Sequence, residues 1–224
     1  MTFYERLIVE TGTEREHFLS VPILGRAADT GVSRETYLAF LGEAYHHVKH
    51  TCPLLNLALQ NTEPGDVVYR VGLADYIAEE TGHEEWILDD IGALGGDPAT
   101  VRVGAPGIAC RAMVGYVTYA IEHVSPYAML GMVHVLEGIS AQIAGKAAAA
   151  IARAINADMT AGFSYLVSHG ELDQDHVSGF EELVNKLRNT EAENAIVETA
   201  NVVYRLYGEI FRELGRQEEF SNVA

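Results

Sequence analysis

The sequence predicts an all-α fold of about seven to nine helices in a single domain. Three observations predict it. Apolar residues recur at three- and four-residue intervals along most of the 224 residues. No window sustains the period-two alternation of a half-buried strand. Pro, Gly, Ser and Asp punctuate the periodic stretches where helices start and stop. With 48% apolar side chains, a chain of this length buries one sizeable core, so one domain over residues 1–224 suffices.

The elements follow in order. Residues 3–19 read as helical and stop at Val21-Pro22, after which a short helix runs to Gly31. Ser33 offers an N-cap for a helix over about 34–60, with Tyr37, Leu41, Ala44, Val48 and Leu55 near one line and a kink expected at Pro53. After Pro64-Gly65 a helix runs from Asp66 to about Ala93, closed by Gly95-Gly96-Asp97-Pro98. One helix covers about 108–124. Ser125-Pro126 opens a long one rich in small residues that ends near Asn156. Helices over about 160–169, 173–188 and 191–214 complete the chain.

The formal charge of −17 argues against nucleic acid and against an anionic membrane, both of which are bound through clustered Lys and Arg. The low-charge stretch from Ser125 to Ala152 contains His134, Glu137, Gln142 and Lys146, which fits a core helix better than a membrane span. Cys52 and Cys110 lack metal or redox spacing and read as buried thiols. The first residues lack the basic start and apolar run of a signal peptide, so a cytoplasmic location is expected.

Chemistry concentrates in His169-Gly-Glu-Leu-Asp173-Gln-Asp-His176. On a helical wheel Asp173 and His176 share the face of Val177, Phe180 and Val184, whereas Asp175 points away. A carboxylate on an apolar face is costly unless paired or metal-bound, although Asp173 also suits a helix N-cap. The same test on residues 66–93 turns Glu80 inward with Leu73, Ile77, Ile87 and Ile91. His83 sits on the flank, giving a Glu-x-x-His pair of the kind found in carboxylate-bridged di-iron bundles. Glu79 and Glu84 remain alternatives to Glu80.

Glu137 is the sole acid between Pro126 and Asn156, set among Val133, Val135, Leu136, Ile139 and Ile143. Its partner is a metal, or a cation such as Lys146 or Arg153. His134, one turn earlier, reads as an ordinary core histidine rather than as a supporting partner of Glu137. Glu80, His83, Glu137, His169, Asp173 and His176 together offer three carboxylates and three imidazoles. Such a set suits two iron or manganese ions, where a zinc hydrolase needs three ligands.

This pattern resembles the haem-oxygenase-like di-iron oxidase and oxygenase superfamily, whose fold is shared with haem oxygenase, the TenA thiaminases and pyrroloquinoline quinone synthase. The most similar members are the chlamydial protein associated with death domains and the fatty-acid decarboxylase that makes 1-undecene. Their ligands come as Glu and His on one helix, a Glu on a later one, then H-x-x-x-D-x-x-H, matched by the six residues above. The resemblance implies a centre of two Fe ions (Mn as the alternative), O2 as co-substrate, and oxidation of a small amino-acid-like or fatty-acid-like molecule or of a side chain within the protein. It also implies a homodimer.

No haem is expected, His17 being a candidate axial ligand by early position alone. Glu43, His47 and His50 form one helical stripe. Glu43 and His47 read as a polar wall of the substrate pocket, Glu43 also as an extra carboxylate that joins the metals during turnover, or the two as a hydrogen-bonded pair between helices. Tyr45, Tyr76, Tyr127 and Tyr165 suit a cavity or plain core, and Arg70, Arg111 and Arg153 are the available anchors for a carboxylate. The alternatives are a TenA-like helper in thiamine salvage and a non-catalytic helical binding module.

Overall fold

The computed structural model describes residues 1–187 and 189–221; the side chains of residues 170–176 and 221 lie outside that description. Its elements are α1 (Phe3–Glu10), α2 (Gly12–Leu19), α3 (Pro22–Asp29), α4 (Arg34–Val48), α5 (Thr51–Asn61), α6 (Val67–Glu80), α7 (His83–Ala93), α8 (Pro98–Val103), α9 (Ile108–His123), α10 (Met129–Ala154), α11 (Ser164–Lys186) and α12 (Thr190–Ser221). A short 3-10 turn, Pro126–Ala128, leads into α10. The described residues contain no strand.

The all-α class stands, but its subdivision differs from the expected seven to nine helices. The stretches expected at 3–19, 34–60 and 66–93 are each divided in two, whereas 160–169 and 173–188 are one helix, α11. The break in the second stretch falls at Lys49-His50, ahead of Pro53. Pro53 then lies in the first turn of α5, where its missing N–H leaves no helical hydrogen bond unmade. Helix starts are fixed by local chemistry. Thr2 and Glu5 form a capping box on α1, the Ser33 side chain accepts from Thr36 N, and Asp66 accepts from Tyr69 N.

α10 is the central element, packed against α3, α11 and α12. By length and composition the Pro126–Ala154 stretch could cross a membrane, yet most of it is buried inside the bundle. Gly131 lets α10 approach α12 closely, since a Cβ there would lie 2.6 Å from the Ile196 carbonyl oxygen. α4 packs on α7, α5 on α6, and α9 on α12. The resulting core surrounds α10 and contains the polar side chains Glu80, His83, Glu137 and His169.

Candidate metal centre

α6 ends at Glu80, and α7 begins at His83. Thr81 is extended and Gly82 takes φ 94°, a left-handed conformation that favours glycine. Glu80 and His83 thus flank a joint between two helices, where the sequence had suggested one continuous helix. Their side chains still converge: His83 Nδ1 stands 3.3 Å from Glu80 Oε2, without the geometry of a hydrogen bond. Glu80 is buried, Glu79 exposed and Glu84 in between, which separates the three candidates by burial.

His169, on α11, meets this pair. Its ring lies 4.9 Å from that of His83 at 89°, and one ligand atom from each of Glu80, His83 and His169 lies within 4.8 Å of the other two. The three are 8%, 5% and 8% exposed. Opposite ligands of one ion at about 2.1 Å each stand roughly 4.2 Å apart, so a small closure suffices for coordination. Two imidazoles and one carboxylate with positions left open form a donor set suited to non-haem ferrous iron. A buried His83 Nδ1 that lacks a hydrogen bond fits the same assignment.

Glu137 stands on α10, 8% exposed, and Tyr76 Oη donates to its Oε2 at 3.4 Å. It is not within the three-residue group but lines the same cavity as Glu80 and His169. Lys146 and Arg153, its suggested counter-ions, are exposed. Asp173 and His176, the remaining expected ligands, lie outside the described side chains.

The cavity measures about 130 Å³ and is lined by these acids and His169 together with Val32, Phe40, Met132, Leu136, Phe211 and Leu214. Tyr76 and Tyr165 also line it, and Lys and Arg are absent from its described wall. His47 lines it too, 2% exposed, and burial followed by the neighbouring His169 pushes its pKa down to about 3.

Glu43, expected beside His47, turns elsewhere. It is not part of the cavity wall, and its Oε1 accepts from Gly107 N at 2.8 Å. Burial raises its pKa, with Glu213 adding to the shift. Of the suggested anchors, Arg70 donates to the Leu59 and Thr62 carbonyls. His17 lies at the surface, 3.7 Å from Glu14.

Two supporting residues escaped the sequence reading. Trp86 stacks on His83 at 4.0 Å. Asp90, 2% exposed on α7, accepts from Ser164 N, Ser164 Oγ and Tyr165 N at 2.8–2.9 Å. α11 has no capping side chain of its own at Phe163, so Asp90 caps it from another helix. The i, i+3 spacing of His83 and Trp86 was the available signal for the first; nothing local marks the second.

A protein-family model described as an iron-containing redox enzyme matches residues 38–208. No curated protein matches the sequence. Among solved structures, a domain of unknown function with a haem oxygenase-like fold from Shewanella denitrificans is similar at 18% identity, covering 98% of this chain and 94% of that one with a TM-score of 0.86. A TenA homologue from Pseudomonas syringae is 14% identical, with 96% and 93% covered and a TM-score of 0.80. Haem oxygenase-1 from the cyanobacterium Synechocystis, solved with haem, is 13% identical, with 99% and 96% covered and a TM-score of 0.76. The fold is haem oxygenase-like.

Proposed function

The chain belongs to the family of iron-containing redox enzymes, and from that premise we propose that it is a non-haem di-iron oxidase or oxygenase acting on a small, largely apolar molecule. The observation that carries this reading is the buried Glu80, His83 and His169 group opening onto an apolar cavity. Those three side chains would hold one ion. Glu137, with Asp173 and His176, would hold the second. When bound, iron (or manganese in its place) supplies the redox chemistry with O2.

The protein's own part is to hold, orient and keep dry. The Tyr76 hydroxyl donates to Glu137 and fixes one of its carboxylate oxygens. Trp86 and Tyr165 pack against His83 and His169 and set their ring planes. The apolar wall keeps bulk water from the acids and favours a fatty-acid-like substrate over an amino-acid-like one, whose second charge would lose solvation there. In this reading the protein works in the cytoplasm as a homodimer, apart from nucleic acid and membranes; its charge of −17 supports the last two points.

Anaerobic ferrous titration tests the proposal. Two ions per chain, followed by a transient visible absorption on adding O2, are expected. No uptake, or uptake undiminished in Glu137→Ala, His169→Ala and Asp173→Ala, would sink it.

A further inference from the structure

His47 is a buried polar residue of the cavity wall whose placement the metal group leaves unexplained. It sits on α4, its ring set edge-on to Tyr207 at 5.6 Å. Both ring nitrogens are buried, and neither has a hydrogen-bond partner among the described residues. A neutral imidazole carries one donor and one acceptor, so this side chain holds two unmet hydrogen-bonding positions inside an apolar chamber. Leaving such groups unpaired costs stability, and a residue of that cost at a cavity surface points to a ligand that pairs it.

The geometry narrows what that ligand is. Among the described residues His47 is outside the group of three metal-ligating side chains. It lines the same cavity as Glu80, Glu137 and His169. The unpaired imidazole and two of the three metal-binding side chains therefore share one chamber. The rest of the wall is mostly apolar, Phe40, Met132, Phe211 and Leu214 offering dispersion contacts, with Thr36, Thr51 and Ser140 supplying the few hydroxyls besides the tyrosines. A molecule that satisfies both regions has one polar head and an apolar body.

We infer that His47 is a specificity-determining residue that holds the head group of a single-headed apolar substrate by a hydrogen bond, turning it toward the Glu80, His83 and His169 group. This rests on the proposed oxidase function for the identity of the group but not for the binding itself. The imidazole N–H donates to a carboxylate or hydroxyl oxygen. A hydrocarbon lacking a head gains nothing from it.

Decanoate, 1-decanol and 1-decene serve as probes, titrated calorimetrically into the full chain with and without ferrous iron. The wild type should bind the two headed molecules more tightly than 1-decene. In His47→Leu, decanoate affinity should fall about tenfold while 1-decene binding is unchanged, and His47→Gln, whose amide still donates, should restore binding to within about threefold of wild type. The ligand-free leucine variant should melt about 3 °C higher, because the unpaired imidazole is gone. His47→Met supplies the same comparison if the leucine variant does not fold.

Equal decanoate affinity in wild type and His47→Leu would overturn the inference, as would a wild type indifferent to the head group. So would a fall in iron stoichiometry in the leucine variant, which would make His47 a ligand. If the wild type takes up no iron but keeps the head-group selectivity and the melting shift, the oxidase reading falls and His47 keeps its role.

Discussion

The indole of Trp86 stacks on the imidazole of His83 with ring centroids 4.0 Å apart and planes 28° from parallel. Trp86 is the single tryptophan of the chain and is half-buried, so all indole emission comes from one ring in contact with a metal-ligand candidate. Ferrous iron bound at His83 should quench most of that emission. Fluorescence during anaerobic titration checks this, and His83→Ala should remove the quenching while leaving the emission of the metal-free protein.

Asp90 joins the helix of His83 to the helix of His169. Its carboxylate accepts two backbone N–H groups and one hydroxyl at the start of α11. Asp90→Ala leaves those donors buried without their acceptor and should cost about 3 kcal/mol in urea denaturation. His169 stands one turn further along α11, so the same variant should also lower iron affinity. Asp90→Asn should fall between the two in both measurements.

Glu43 sets a pH dependence. Burial raises its folded pKa above the ordinary value of 4.5, so its stabilising contribution is full below that value and is lost as pH rises through the raised one. Glu43→Gln removes the titration. The variant should melt with the wild type at pH 3.5 to within about 1 °C, and about 2 °C above it at pH 7. Scanning calorimetry at both pH values decides the matter.

Tyr76 is expected to act through Glu137. Burial, reinforced by Glu137, pushes the Tyr76 hydroxyl pKa far above its ordinary value, so it stays a donor at any working pH. Tyr76→Phe should weaken binding of one of two ferrous equivalents about tenfold, with the other unchanged. A single titration with two resolved steps checks this.

The sequence carried the helical class, because apolar spacing is a local property that any window reveals. It also carried the inward direction of Glu80 and Glu137, since burial of a lone carboxylate follows from its apolar neighbours. The joint at Thr81-Gly82 was less visible: the apolar spacing continues across it, and a glycine in a helical pattern does not declare a positive φ. The stripe of Glu43 and His47 showed the complementary weakness. Residues four apart differ by about 40° around a helix. That angle is enough to put His47 in the cavity and Glu43 against Gly107. Asp90 was out of reach altogether, for its partners lie more than seventy residues away in sequence.

The division between α6 and α7 has a mechanical consequence. Glu80 closes one helix and His83 opens the next, and only Thr81 and Gly82 connect them. An ion held by both residues acts as a rivet across that connection, fastening two rods whose covalent link is a permissive turn. Without it, the packing of each helix on α11 would be what holds them in register. If the proposed centre binds iron, local stiffness here would follow metal supply, and amide hydrogen exchange around Gly82 would slow when ferrous iron is added.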